Sequence, residues 1–192
     1  KSIDAGGSFI NVTGSLPLTA AMSSVTVSNT NPDKVWVVYS GYENGTKVFQ
    51  SLNGGSTWTN ISAGLPNLPI NTIVYTNGST TDAIYVGGDI GVYYYNNTLS
   101  AFEPFLLGLP NCAVRDLEIH YGTNKLRAGT YGRGVWETNL NDGTLGVNPN
   151  ELDNTVLIYE NENDQLHVKS NTDEIKSIII FDLLGRIVLN KN

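Results

Sequence analysis

The sequence predicts an all-β protein, and three observations lead to that prediction. Its 192 residues include 20 Gly and 7 Pro, which interrupt regular structure along the whole chain. The runs between these interruptions are short and rich in Thr, Val, Ile and Tyr, which favour strands. Turn signals such as Asn44-Gly45 and Asn77-Gly78 separate the runs. Short strands at this spacing are typical of antiparallel sheets.

Each predicted strand of the first 140 residues is a run of strand-forming residues bounded by turn residues. In the run at 91–95, Tyr93 and Tyr95 share one face and Tyr94 takes the other, because side chains alternate along a strand. A sheet with two apolar faces needs a neighbour on each side. The predicted strands cover residues 24–28, 34–40, 46–51, 72–76, 83–87, 91–95, 115–120, 125–129 and 132–138.

Composition and charge exclude several classes of protein. Hydrophobic residues make up 40% of the chain, which is enough for a core, and the net charge of −7 argues against nucleic-acid binding. No apolar run has the length of a membrane-spanning helix. The single cysteine, Cys112, excludes a disulfide framework and a multi-cysteine zinc site, and only two histidines are present. We therefore expect no metal and no cofactor.

A repeated phrase divides the first 140 residues into units. Leu16-Pro17 returns as Leu65-Pro66 and as Leu109-Pro110, at intervals of 49 and 44 residues. A period of about 40–50 residues with four short strands per unit is typical of a β-propeller blade. Three such units are too few to close a ring. We therefore expect residues 1–140 to be the last blades of a propeller whose earlier blades lie upstream.

A second phrase strengthens this prediction. Its form is Ser-x-Asp/Asn-x-Gly-x-Ser/Thr-aromatic, and it resembles the Asp-box turn of sialidase-like (BNR) propellers. The resemblance implies a turn between the third and fourth strands of a blade. There the Asp or Asn side chain accepts backbone N–H groups, the Gly adopts positive φ, and the aromatic ring packs between blades. The two copies carry Ser2, Asp4, Gly6 and Phe9 in the first and Ser51, Asn53, Gly55 and Trp58 in the second.

Three residues are candidates for a ligand-binding face. Asp89 follows a Gly-Gly pair, Tyr93 lies in an aromatic run, and Arg133 stands between two glycines. The phrase around Arg133 resembles the closing blade of Asp-box propellers. Each residue has an alternative role, since Asp89 suits turn capping, Tyr93 suits packing between blades, and Arg133 suits anchoring of a hairpin. No catalytic residue is assigned.

The composition changes after residue 140. Residues 1–140 hold 7 basic and 9 acidic side chains, a net charge of −2, whereas residues 141–192 hold 4 and 9, a net charge of −5. Turn-forming residues dominate 141–152, which indicates a linker. Residues 153–192 then read as a small β domain, with strands predicted at 155–159, 165–170, 175–181 and 186–189.

This tail resembles part of the type A sorting domain of proteins exported by the type IX secretion system of Bacteroidota. An Ile-rich strand followed by Asp-x-x-Gly-Arg-x-Val carries the resemblance, which implies an immunoglobulin-like β-sandwich and recognition by an outer-membrane translocon barrel and a shuttle protein. Two prolines of the family pattern are replaced here by Glu160 and Glu162. An accessory β-sandwich without an export role is the alternative. The residues expected to carry recognition are Ile178, Ile180, Phe181, Asp182, Gly185, Arg186 and Val188.

Together these patterns predict a secreted, cell-surface propeller protein that is exported across the outer membrane. The propeller is expected to bind a glycan or another surface ligand, as an adhesin does. The alternative is a secreted glycoside hydrolase of the Asp-box type, with its catalytic residues upstream.

Overall fold

The computed structural model describes residues 1–105, 108–141, 156–160, 166–170, 175–181 and 187–191. Every regular element among them is a strand, so the all-β prediction is confirmed. The chain divides into two compact units, Lys1–Leu140 and Asn141–Asn192. In the described ranges, no helix has the length and apolar content that crossing a membrane would require.

The first unit contains three antiparallel sheets, here called A, B and C, in which strands adjacent in sequence pair with each other. Sheet A comprises β1 (Met22–Val27), β2 (Val35–Tyr39), β3 (Val48–Ser51) and β4 (Thr59–Asn60). Sheet B comprises β5 (Ile70–Tyr75), β6 (Ile84–Gly88), β7 (Gly91–Tyr95) and β8 (Glu103–Pro104). Sheet C comprises β9 (Val114–His120), β10 (Lys125–Thr130) and β11 (Gly134–Asn139).

The interface between sheets A and B holds one part of the core. Trp36, Val38 and Val48 of sheet A pack against apolar side chains of sheet B that include Ile73 and Tyr75. The Trp36 and Tyr75 rings stack with centroids 5.1 Å apart. Burial of these large rings removes apolar area from water and holds the two sheets together.

An ion pair joins the same two sheets at the end of the interface. Lys34 Nζ lies 2.7 Å from both carboxylate oxygens of Asp82, whose side chain is almost fully buried. Because these residues are 48 positions apart in the chain, the pair depends on the tertiary packing of sheet A against sheet B. Loss of either partner would leave the other charge partly buried without compensation.

The interface between sheets B and C holds the second part of the core. Tyr85, Val92 and Tyr94 of sheet B pack against a cluster that includes Leu117 and Ile119 of sheet C. Sheet B therefore has a neighbouring sheet on each face. This explains why every residue of β6 is buried. In a strand with one face open to solvent, buried and exposed residues would alternate. The expected division of the tyrosine run is also present, with Tyr93 in one cluster and Tyr94 in the other.

Among the described residues of the second unit, the strands form two antiparallel pairs. One pair joins β12 (Val156–Glu160) to β13 (Leu166–Ser170), and the other joins β14 (Ile178–Phe181) to β15 (Ile187–Lys191). The all-β character predicted for the tail is therefore present.

Candidate functional site

The first strand of each sheet carries a β-bulge at the same place. In sheet A the register passes from Met22–Tyr39 to Ser24–Val38, which leaves Ser23 as the extra residue. The equivalent shifts leave Asn71 as the extra residue in β5 and Arg115 in β9. A bulge redirects a side chain out of the regular sheet. The three bulged residues therefore lie at equivalent positions of three neighbouring sheets.

Two of the bulged side chains reach the next sheet in the same way. Ser23 Oγ donates a hydrogen bond to the carbonyl oxygen of Ile70, the first residue of β5, at 2.6 Å. Asn71 Nδ2 donates to the carbonyl oxygen of Val114, the first residue of β9, at 3.0 Å. Each bulge thus supplies a hydrogen-bond donor across an interface between sheets.

A turn residue follows the second strand of each sheet at the same edge. The backbone N–H groups of Ser40, Asp89 and Tyr131 donate to the carbonyl oxygens of Ala21, Pro69 and Ala113, at 2.9, 3.2 and 2.8 Å. Each accepting residue immediately precedes the first strand of its own sheet. We name this edge the bulge edge, defined by the bulged residues Ser23, Asn71 and Arg115 and the turn residues Ser40, Asp89 and Tyr131.

The side chains of the bulge edge form a connected polar group at sheets B and C. Asn71 Nδ2 also donates to Asp89 Oδ1 at 3.0 Å, and Arg115 Nη1 donates to Asn71 Oδ1 at 3.2 Å. The Arg115 guanidinium carbon lies 5.9 Å from the centre of the Tyr131 ring, within cation–π range. Arg115 and Tyr131 are both exposed. A guanidinium, a carboxylate and an open aromatic face together suit a polar ligand that is rich in oxygen atoms.

The structure places the three residues predicted for a ligand face in different surroundings. Asp89 lies at the bulge edge. Tyr93 is buried in the core between sheets A and B, where it has no access to a ligand. Arg133 is exposed on the turn between β10 and β11, and its carbonyl oxygen accepts a hydrogen bond from Trp136 Nε1 at 2.9 Å.

The sequence interpretation missed the three bulged residues. A signal was present, because each of them is a polar residue that follows the repeated Leu-Pro phrase by five or six positions. Ser23 follows Pro17, Asn71 follows Pro66, and Arg115 follows Pro110.

The first Asp-box segment forms a tight turn. The Ser2 hydroxyl donates to Asp4 Oδ1 at 2.7 Å and accepts the Gly6 N–H at 2.8 Å. Asp4 Oδ1 accepts the Ser8 N–H at 2.9 Å, and Asp4 Oδ2 accepts the Ser8 hydroxyl at 2.7 Å. These hydrogen bonds to Ser8 and Ser2 lower the pKa of Asp4 to about 2. Gly6 has a φ of 92°.

The second Asp-box segment forms the same turn with Asn53 in place of an aspartate. The Ser51 hydroxyl donates to Asn53 Oδ1 at 3.0 Å and accepts the Gly55 N–H at 2.8 Å. Asn53 Oδ1 accepts the Thr57 N–H at 2.8 Å, and Asn53 Nδ2 donates to the Thr57 hydroxyl at 2.8 Å. This turn connects β3 to β4 at the edge of sheet A opposite the bulge edge.

The two aromatic residues of these turns differ in their packing. Trp58 packs against the cluster of Leu16, Val37, Tyr39 and Phe49, and its Nε1 donates to the carbonyl oxygen of Val12 at 2.9 Å. The Phe9 side chain is 79% exposed, so the packing between sheets that the resemblance implied for this residue is not seen.

The residues predicted for export recognition lie in the second unit. Ile178 is half-buried at the start of β14, and Val188 is exposed on β15. Ile180 and Phe181 belong to β14. Asp182, Gly185 and Arg186 lie outside the described residues.

The described ranges contain no group of three or more His, Cys, Asp or Glu side chains placed to hold a metal ion. A family model described as a domain of unknown function (DUF8694) matches residues 145–192. No curated protein matches the chain.

Proposed function

We propose that this chain is part of an exported cell-surface protein in which the first unit binds a ligand and the second unit is the export signal. The first unit would be the last blades of an Asp-box propeller. The second would be an immunoglobulin-like sorting domain of the type IX system. The observation that carries the binding function is the polar group of Asn71, Asp89, Arg115 and Tyr131 at one edge of the stacked sheets.

Repetition within the first unit supports the propeller proposal. Each of the three sheets pairs its strands in sequence order, begins with a bulge at the same position, and packs face to face with its neighbour. Sheets A and B have four short strands each and sheet C has three, and antiparallel sheets stacked in this way are the building plan of a propeller. The Asp-box turn of sheet A lies at the edge opposite the bulge edge, which leaves the bulge edge free for a ligand.

A glycan is the ligand that we propose for the bulge edge. The Arg115 guanidinium and the Asp89 carboxylate can bond to hydroxyl or ring oxygens of a sugar. The exposed Tyr131 ring offers an apolar face against which the C–H groups of a sugar ring can pack. Arg115 is the best-placed donor, because its equivalents Ser23 and Asn71 already donate to a carbonyl oxygen of a neighbouring sheet.

The binding proposal is tested with the purified chain on an array of neutral and acidic oligosaccharides. We expect Arg115→Ala and Tyr131→Ala each to weaken binding roughly tenfold or more. The first removes hydrogen bonds from a charged group, which contribute about 1.5–3 kcal/mol, and the second removes the aromatic face against which the sugar ring packs. The matched control is Arg127→Ala, which removes a guanidinium that pairs with Glu137 on sheet C. Binding that is equally sensitive to all three changes, or no binding at all, would contradict a glycan site at this edge.

Two observations support the treatment of the second unit as a separate domain, on which the export proposal depends. Residues 141–192 form a compact unit, and a family model matches residues 145–192 without extending into the first unit. The export role itself is proposed from the Ile-rich strand and the Asp-x-x-Gly-Arg-x-Val phrase that follows it.

The export proposal is tested by secretion in a bacterium that has the type IX system. The chain, fused behind an inner-membrane export signal, should reach the cell surface or the medium. A chain that lacks residues 153–192 should stay in the periplasm, as should the intact chain in a strain without the translocon. We expect Gly185→Val to reduce export and Thr172→Val, which lies outside the matching phrase, to leave it unchanged. Equal release of all forms would exclude an export role for the tail.

A further inference from the structure

Three asparagines of the first unit are each followed by glycine, a pair that is prone to deamidation. The pairs are Asn44-Gly45, Asn53-Gly54 and Asn77-Gly78. Asparagine is a chemically labile residue, and a following glycine leaves the backbone nitrogen next to it unhindered because glycine has no Cβ. Since the three pairs contain the same two residues, we expect the structure around each pair to decide how fast it reacts.

Deamidation begins when the backbone nitrogen of the glycine attacks the side-chain carbonyl carbon of the asparagine. The nitrogen loses its proton and bonds to Cγ, the Cγ–Nδ2 bond breaks, and the amide nitrogen leaves as ammonia. Water then opens the resulting succinimide ring at either of its carbonyl carbons, which gives aspartate or isoaspartate. A hydrogen bond from the attacking N–H, or one that holds the asparagine side chain, has to break first and therefore slows the reaction.

The Asn53-Gly54 pair is restrained at both reacting groups. The Gly54 N–H donates to the carbonyl oxygen of Asp33 at 2.8 Å, and Gly54 is buried. The Asn53 side chain is held by the three hydrogen bonds to Ser51 and Thr57 that form the second Asp-box turn. This pair can therefore react only after local opening of the turn.

The Asn77-Gly78 pair is restrained at the attacking nitrogen alone. The Gly78 N–H donates to Asn29 Oδ1 at 3.0 Å. Among the described residues, the Asn77 side chain makes no hydrogen bond, although its backbone N–H donates to the Tyr121 hydroxyl at 2.9 Å. Because Asn29 is an exposed side chain, we expect partial protection of this pair.

The Asn44-Gly45 pair has neither restraint. Both residues are exposed on the turn between β2 and β3. Within the part of the chain that the structure describes, the Gly45 N–H donates no hydrogen bond and the Asn44 side chain makes none. A Cβ built on Gly45 would meet no atom within 4 Å, so the space around the attacking nitrogen is open.

We propose that Asn44 is a site of spontaneous deamidation in the folded protein, with water as the co-reactant. Asn53 and Asn77 carry the same dipeptide and are protected by their hydrogen bonds. The rate of conversion then falls in the order Asn44, Asn77, Asn53. This inference does not depend on the proposed ligand or on export, because the reaction needs only the folded chain and water.

Either product would change the turn between β2 and β3. The Gly45 carbonyl oxygen accepts a hydrogen bond from Asn60 Nδ2 at 2.7 Å, which ties this turn to β4. Isoaspartate carries the main chain through its side-chain carbon, so it lengthens the backbone just before this carbonyl group and would displace it from Asn60. Aspartate keeps the backbone and adds a negative charge next to Glu43, on the turn that begins at the bulge-edge residue Ser40.

The test follows the three sites separately in the purified 192-residue chain. Peptide mapping by mass spectrometry, after incubation in a mildly alkaline buffer, measures how much of each asparagine has become aspartate or isoaspartate. We expect Asn44 to convert about tenfold faster than Asn53 or more, because Asn53 reacts only from locally opened molecules. In the chain unfolded in urea, the three sites should convert at similar rates, because only the shared dipeptide then matters.

A matched pair of variants tests the cause of the protection. Asn29→Ala removes the acceptor of the Gly78 N–H, so conversion of Asn77 should become severalfold faster and approach that of Asn44. Asn67→Ala replaces another exposed asparagine and should leave all three rates unchanged. Circular dichroism confirms that both variants are folded, and the comparison of the three sites in the unmodified chain does not depend on either variant.

Two outcomes would overturn the inference. One is conversion of Asn44 that is no faster than that of Asn53 in the folded chain, and the other is the same difference between these sites in urea. An unchanged rate at Asn77 in Asn29→Ala would overturn the protection assigned to the hydrogen bond from Gly78. Because conversion is measured on purified protein, a failure of ligand binding or of secretion does not affect these results.

Discussion

The two Ser-x-Asp/Asn turns, at residues 2–9 and 51–58, form the same local structure in different surroundings. In each turn, the serine hydroxyl accepts one backbone N–H group. The side-chain oxygen of the Asp or Asn accepts another, from the residue four positions later in the chain. Ser8 N–H bonds to Asp4 at 2.9 Å in the first, and Thr57 N–H bonds to Asn53 at 2.8 Å in the second. The turn therefore tolerates an amide in place of a carboxylate.

Outside the turn, the two segments differ. Trp58 is fixed by the Val12 carbonyl oxygen and by the apolar side chains of sheet A, whereas Phe9 is largely exposed. Local hydrogen bonds thus determine the shape of the turn, and a neighbouring sheet determines whether its aromatic residue is buried.

A matched pair of glycine substitutions gives the largest expected contrast. Gly55 and Gly6 have φ values of 90° and 92°, so alanine at either position is strained by about 1 kcal/mol. A Cβ at Gly55 would also lie 2.8 Å from two carbons of the Val12 side chain, while a Cβ at Gly6 meets nothing within 4 Å. We expect Gly55→Ala to lower the free energy of unfolding by roughly 2–4 kcal/mol and Gly6→Ala by about 1 kcal/mol.

Urea unfolding followed by circular dichroism measures both effects on the purified chain. If both variants lose a similar amount of unfolding free energy, the contact of a new Cβ with Val12 costs nothing beyond the backbone strain.

The smaller expected contrast is in pH dependence. Only the first turn contains a carboxylate, and its pKa lies at about 2, below the ordinary value of 3.8. A lowered pKa in the folded state means that Asp4 stabilises the turn fully above about pH 4 and that this contribution is lost as the pH falls toward 2. An NMR titration of the Asp4 carboxyl carbon should have its midpoint near pH 2.

The control for this prediction exchanges the two side chains. Asp4→Asn should remove the dependence of the first turn on pH between 4 and 2, and Asn53→Asp should introduce one into the second. A midpoint for Asp4 near the ordinary aspartate value would show that the hydrogen bonds from Ser8 and Ser2 do not persist in solution.

Most of the strands could be predicted from the sequence, because the alternation and the Gly and Asn turns are local signals. The two short strands β4 and β8 were missed. Each contains only two residues, and each is defined solely by its pairing with the strand before it. No periodicity exists in so short a run, so the pairing could not be predicted without the rest of the sheet.

The candidate site was much less predictable. Asp89 was named as a candidate from its place after two glycines, with turn capping as its alternative role, but its partner Asn71 looked like an ordinary strand residue. A bulge becomes visible only when the register of both strands is known, as for Asn71 and Arg115. Tyr93 shows the opposite error, since an aromatic residue that suits a ligand face is buried once sheet A covers sheet B.

The sequence by itself determined the all-β class, the repeated units, the order of the strands and the form of the two Ser-x-Asp/Asn turns. These features depend on interactions between residues a few positions apart, so the residue types specify them directly. Tertiary structure decided which faces are buried, which bulged side chains meet at one edge, and that Lys34 pairs with Asp82. These contacts join residues of different strands or sheets, and their energies arise only when the sheets have formed, stacked and excluded water.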